Sequence, residues 1–145
     1  MRLLCKLSEF EVPTLDMVEI YETFICSHCE QSCQVWHSSL TGEDSDHLER
    51  IQKVALKIIL SDSYISYEDA LSQVNLEKLS ERREDLCLRF AKSCQKNAKT
   101  SDMFPLNQNK VNTRKHETFD VYHSINARLY NSAIPFMQRL LNLHS

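Results

Sequence analysis

Apolar residues recur at helical spacing through most of the chain, and that recurrence predicts helices in preference to strands. After Val12-Pro13-Thr14, the positions Leu15, Val18, Tyr21, Phe24, Ile25 and Cys29 share this spacing and predict a first long helix running to about Trp36. Thr41 stands three residues before Asp44, the arrangement of a capping box, and so opens a second helix. In that helix Leu48, Ile51, Ala55, Ile58 and Ile59 form one face, and Ser61-Asp62-Ser63 ends it. Ser66 followed by Glu68 and Asp69 reads as an N-cap with acids in the first turn, where the helix dipole favours them. The short helix that follows ends near Val74. Asn75 is expected to cap the next and longest helix, from about Leu76 to Asn97, with Leu76, Leu79, Leu86, Phe90 and Cys94 inward. Beyond Thr100 the pattern weakens. Met103-Phe104-Pro105-Leu106 is an apolar knot, 107–118 a polar and basic loop, and Phe119, Val121 and Ile125 an extended segment packed on the helices. Asn131-Ser132 marks a turn, and Pro135 suits the first turn of a last helix with Phe136, Met137, Leu140 and Leu141. The reading is an all-α bundle of four to five helices over residues 1–103, with a tail over 104–145 made of loop, extended segment and short helix.

Composition agrees with that reading. One Gly and three Pro in 145 residues are too few for the many turns of an all-β fold. Lys6 and Glu9 interrupt the apolar N-terminus before it reaches signal-peptide length. No apolar stretch approaches the ~20 residues that span a bilayer. The expected setting is therefore intracellular, cytoplasmic or nuclear, with no membrane partner and with reduced cysteines. The net charge of −3 hides an asymmetry. Residues 1–48 hold two bases against nine acids, whereas 89–115 hold seven bases (Arg89, Lys92, Lys96, Lys99, Lys110, Arg114 and Lys115) against Asp102 alone. A basic stretch in an acidic chain points to one anionic contact surface.

Helical geometry sharpens the location. At 100° per residue, Arg50, Lys53 and Lys57 fall within an arc of roughly 60°, apart from the apolar arc of the second helix. In the long helix Arg82, Arg89, Lys92 and Lys96 fall within about 80°. Periodicity alone leaves two readings: a solvated face, which is the ordinary fate of Lys and Arg, and a row of phosphate contacts. Asp85 and Arg89 are also spaced for an i,i+4 pair.

The residues offer no catalytic constellation. Cys26, Cys29, Cys33 and His37 suggest a metal run, but on one helix its ends lie about 16 Å apart, too far for one tetrahedral ion. Reduced cysteines pack as small apolar residues, and that is the expectation here. A single Gly precludes a Gly-rich phosphate loop. Glu43, Asp44 and Asp46 sit in a helix first turn, where capping accounts for them, and the adjacent Glu84 and Asp85 point in different directions. A two-metal polymerase centre needs converging carboxylates. No catalytic residue, cofactor or metal is assigned.

Several strings carry a family resemblance. Gln34-Val35-Trp36-His37-Ser38-Ser39-Leu40-Thr41, then Leu48-Glu49-Arg50-Ile51-Gln52-Lys53-Val54-Ala55-Leu56-Lys57-Ile58-Ile59-Leu60, then Leu79-Ser80-Glu81-Arg82-Arg83-Glu84-Asp85-Leu86-Cys87 are among them. Asn131-Ser132-Ala133-Ile134-Pro135-Phe136-Met137-Gln138-Arg139-Leu140-Leu141-Asn142 is the last. In this order they resemble the C-terminal region of jockey-like, non-LTR retrotransposon reverse transcriptases, over nearly the whole chain. Leu7-Ser8-Glu9-Phe10-Glu11-Val12-Pro13 is similar to the family's link out of the polymerase core, with Glu11 where a Gly is usual. Cys26, His28 and Cys29 depart from the family's apolar or basic residues.

The resemblance implies a thumb-like, post-polymerase segment of an RNA-directed DNA polymerase. The parent's catalytic palm carries a Tyr/Phe-x-Asp-Asp motif that this chain lacks, so the chain reads as a fragment and as no enzyme by itself. The implied partners are RNA or an RNA–DNA hybrid and the missing palm. The expected contacts to nucleic acid are Arg50, Lys53, Lys57, Arg82, Arg89, Lys92 and Lys96. The alternative is a helical protein-interaction or structural domain that binds no nucleic acid.

Overall fold

The computed structural model describes residues 1–107, 118–122 and 126–144, and every regular element among them is helical. One isolated antiparallel bridge joins Leu106 to Phe119. The fold class is all-α, with more helices than the four to five expected. Part of the surplus comes from the first predicted helix, which is divided into several pieces.

The chain separates into two compact units: Met1–Gln31 with Thr41–Arg82, and Ser32–Leu40 with Arg83–Ser145. The stretch Ser32–Leu40 belongs with the C-terminal part of the chain, although first-unit sequence flanks it on both sides.

The first unit contains α1 (Arg2–Glu9), α2 (Thr14–Ile20), a π-helical turn (Tyr21–Cys26) and α3 (Ser27–Glu30). The π turn has a geometric rationale. Met17, Val18 and Tyr21 are buried, and so are Cys26 and Cys29. On a continuous α-helix the second group would sit about 100° away from the first. A π turn holds one residue more than an α turn, and that residue returns Cys26 and Cys29 to the same side. Leu15 and Phe24, expected inward from a uniform period, are instead 82% and 60% exposed.

Two helices of this unit end alike. After α1, Val12 N–H donates to Leu7 C=O and Glu11 N–H to Ser8 C=O, with Glu11 at φ 54°. After α6 (Tyr67–Val74), Leu76 N–H donates to Leu71 C=O and Asn75 N–H to Ser72 C=O, with Asn75 at φ 54°. Both are Schellman endings, which need a residue in the left-handed region. Asn75 therefore closes α6 and does not start the next helix, because a side chain that tolerates the left-handed conformation is more useful there.

Helix α5 (Gly42–Leu60) opens with the expected capping box. Asp44 N–H donates to Thr41 Oγ1 at 3.2 Å, and Thr41 N–H to Asp44 Oδ2 at 3.3 Å. Those bonds hold the Asp44 carboxyl below its usual range. Ala55, Leu56 and Ile59 are buried, with Leu48, Ile51 and Ile58 packed beside them. Gln52 lies fully buried among them. Its Nε2 donates to Glu77 C=O at 2.9 Å, and its Oε1 accepts from Leu79 N–H at 3.0 Å and from the Tyr67 hydroxyl at 2.9 Å. This one amide ties α5 to α6 and to the start of α7 (Leu79–Lys96).

The second unit contains α4 (Cys33–Trp36), a 3-10 turn (His37–Ser39), α7 beyond Arg82, α8 (Ala127–Tyr130) and α9 (Ala133–Leu143). Its core joins Cys33, Cys87, Leu88, Ala91, Phe104, Met137, Leu140 and Leu141. Phe90, expected inward, is 46% exposed. The buried row of α7 runs instead through Leu79, Arg83, Cys87 and Ala91, each one turn from the next.

Of the expected extended segment, Phe119 makes the antiparallel bridge with Leu106. Asn107 N–H donates to Thr118 C=O and Asp120 N–H to Pro105 C=O, both at 2.9 Å. Two amides of α9 hold the other side. Asn142 accepts from Phe119 N–H at 2.8 Å and donates to Phe119 C=O at 3.0 Å. Gln138 accepts from Tyr122 N–H at 3.0 Å and donates to Met103 C=O at 2.8 Å. The expected loop at 107–118 and Ile125 fall almost wholly outside the described residues.

Candidate nucleic-acid interface

The cationic arc of α5 lies on the side of the helix opposite its buried residues. Arg50, Lys53 and Lys57 are all exposed, while Gln52, Ala55, Leu56 and Ile59 are covered. Two of these cations are held in place by rings. The Lys53 ammonium sits 4.9 Å from the centre of the Tyr67 ring, and the Lys57 ammonium 5.4 Å from that of Tyr64. Cation–π contacts at exposed sites are worth about 0.5–1 kcal/mol each and limit how far the long stems wander. Tyr67 is itself fixed through its hydroxyl, which meets Glu49 Oε1 at 2.5 Å and Gln52 Oε1 at 2.9 Å. Burial and the Glu49 carboxylate push the Tyr67 phenol well above its usual range, so the ring stays neutral. A chain of contacts thus runs from the buried amide through an aromatic ring to a surface ammonium.

Arg82 behaves differently from the expectation of a phosphate contact. Its Nε donates to Glu30 Oε1 at 2.6 Å, and one terminal nitrogen to Glu22 Oε1 at 3.2 Å. The Glu30 bond, and the carboxylates more generally, raise its pKa further. Glu30 also accepts from the Cys26 thiol at 3.2 Å, and burial with that bond pushes the thiol up to about 12. Arg82 therefore joins α7 to the N-terminal helices, and its donors are committed within the unit. Its position on the helical wheel gave no warning, because the acids come from a distant stretch of sequence.

In the second unit Arg89, Lys92 and Lys96 are exposed on α7. Arg89 pairs with Asp85 one turn earlier, as expected. Both members are largely open to solvent, so the pair contributes no more than about 0.3–0.5 kcal/mol. The three positions repeat the i, i+3, i+7 spacing of Arg50, Lys53 and Lys57. Each row is thus complete within one unit. Lys110, Arg114 and Lys115 of the basic stretch lie outside the described residues.

Charge patterning does not pick out Arg83, a cation that the structure buries. It is fully buried in the second unit. Its guanidinium carbon lies 6.0 Å from the centre of the Trp36 ring, and its Nε donates to His37 Nδ1 at 3.4 Å. Its place midway along the Leu79, Arg83, Cys87, Ala91 row was the available signal.

The cysteines divide between the cores. Cys26 and Cys29 pack in the first and Cys33 and Cys87 in the second. Burial, with the Cys33 neighbourhood, pushes the Cys87 thiol up to about 12. Among the described residues no group of three or more His, Cys, Asp or Glu side chains is arranged to hold a metal ion. Among them, too, no helix is long and apolar enough to cross a membrane. No protein-family model, curated protein or solved structure matches the chain.

Proposed function

We propose that this chain is the helical, thumb-like part of a retrotransposon RNA-directed DNA polymerase, without the catalytic palm, and that it contacts the phosphate backbone of RNA or an RNA–DNA hybrid. The observation that carries the contact is the α5 row, in which Arg50, Lys53 and Lys57 project to solvent with two of the three held over tyrosine rings. A row of cations on one helix face suits a polyanion, since each neutralised phosphate releases counterions. Arg89, Lys92 and Lys96 supply a second row of the same spacing, and Arg82 supports the fold. The family reading draws support from Glu11, which stands where the resembled proteins usually carry Gly. Its φ of 54° is the conformation that favours glycine.

Such contacts are sequence-tolerant and dependent on salt. Three phosphate contacts weaken binding about 40-fold between roughly 50 and 200 mM salt. The test is a fluorescence titration of a labelled RNA–DNA hybrid at both salt concentrations, with the chain and with a triple variant carrying Gln at 50, 53 and 57. Binding at low salt that is lost in the variant supports the reading. No binding at low salt sinks it. A second reading, a helical protein-interaction or structural module, is favoured by apolar side chains left open on the first unit. Phe10, Leu15 and Ile65 are 78%, 82% and 80% exposed. Concentration-dependent association in light scattering, with no hybrid binding, would select it.

A further inference from the structure

We propose that His37 is an acid-sensitive latch that holds the segment Ser32–Leu40 in the second unit, and that protonating its ring releases that segment. The argument begins with Arg83. An arginine is permanently cationic, and burying one calls for acceptors around it. One of them is His37 Nδ1, which takes the Arg83 Nε–H at 3.4 Å. A ring nitrogen that accepts carries no proton, so the docked imidazole is neutral with its hydrogen on Nε2. On its other side the ring meets Phe136 of α9 edge-on, at 5.6 Å between centres. Trp36, the neighbour in sequence, packs against the core and faces the same guanidinium.

Adding a proton to Nδ1 turns the acceptor into a donor facing another donor. It also places a second positive charge beside a buried one. Arg83 comes from α7 and is the cause of the repulsion. Arg139 comes from α9, but its guanidinium lies 3.7 Å from the Tyr130 ring centre and donates to Tyr130 C=O. Cys33 comes from α4, and its thiol donates to Arg83 C=O. His37 is not a member of the pairs Arg82–Glu22, Arg82–Glu30 and Arg89–Asp85.

Burial first, and Arg83 second, hold the His37 ring below its ordinary value of 6.5. The direction of the effect follows. The released segment takes up a proton near pH 6.5, and the docked one only at lower pH. Docking is indifferent to pH above about 6.5 and weakens as the pH falls from there towards the docked value. Within that window protection of the segment falls by up to about tenfold per pH unit, the limit for one linked proton.

The chain has one tryptophan, so Trp36 emission reads this segment alone. The experiment follows Trp36 emission, the His37 ring resonance and amide exchange over 33–40 from neutral pH downward. The expected result is a reversible change in all three, with the His37 midpoint below 6.5 and amide protection lost over the same range. His37→Gln offers an amide oxygen to Arg83 and does not titrate, so it should abolish the transition. Arg83→Met should move the His37 midpoint upward. A His37 midpoint at or above 6.5 in the unaltered chain would overturn the proposal. So would an unchanged Trp36 transition in the Gln variant. If that variant fails to fold, the ring titration of the unaltered chain decides by itself.

Discussion

Both units bury a neutral amide, Gln52 in the first and Gln138 in the second, but the second also buries a cation. The first encloses the Gln52 amide, which is neutral, and three hydrogen bonds use both ends of its side chain. The second encloses the Arg83 guanidinium, whose charge persists at every accessible pH, and sets a titratable ring against it. A neutral amide behaves as a fastener whose strength does not depend on protons. A buried cation ties the stability of its surroundings to the protonation of whatever faces it. Chains of similar helical make-up can thus differ in how they respond to their environment through a single interior residue.

The largest effect should come from breaking the fasteners. Gln52→Leu keeps the volume but leaves Leu79 N–H and Glu77 C=O without that partner, and orphaned buried groups cost about 1–3 kcal/mol each. A loss of about 2–4 kcal/mol in denaturant unfolding is expected for the first unit. Gln138→Leu in the second unit should cost about 1–2 kcal/mol, because Tyr122 is already half open to water and can recover a bond there. Equal losses would mean that the amides do not differ as their surroundings suggest.

Next comes the start of α5. Thr41→Ala removes the capping hydroxyl and should cost about 1 kcal/mol, read by the same unfolding curves. The bonds from Thr41 hold the Asp44 carboxyl below its ordinary 3.8. Its stabilising part is therefore complete above about pH 3.8 and is lost as the pH falls through the lower folded value. Segment-resolved amide exchange between about pH 6.5 and pH 4 should then show loosening at 33–40 while the first turn of α5 stays protected. Simultaneous loosening of both would erase the contrast between the units. The smallest change expected is a gain. Glu11→Gly relieves a left-handed side chain, and the midpoint of unfolding should rise by an amount equivalent to about 0.5–1 kcal/mol.

The sequence made the local signals readable and the distant ones obscure. The Thr41 and Ser66 caps, the apolar stripe of α5 and the Asp85–Arg89 pair each depend on residues within one turn, and all appear in the structure. The helix ends at Glu11 and Asn75 did not announce themselves, since a Schellman ending depends on backbone angle more than on residue type. Gln52 and Arg83 are obscure for a common reason: a polar side chain points to exposure, although both fall on rows of buried neighbours. The pairing of Arg82 is hidden from its helix because its acids, Glu22 and Glu30, lie more than fifty residues away. The α5 cations were legible as an arc, but not their seating over Tyr64 and Tyr67, which come from the next part of the chain.

The π turn at Tyr21–Cys26 makes the chain unusually forgiving of one particular kind of change. Because it carries a surplus residue, excising an exposed position such as Thr23 would let the turn rewind to ordinary α pitch. Both flanks would keep their inward phase: Tyr21 and Cys26 would come one position closer and still look inward together. The same excision inside α5 has no slack to consume and would swing its cationic row through a quarter of a revolution or more, against the core. Length variation is thus absorbed at one address and rejected at another.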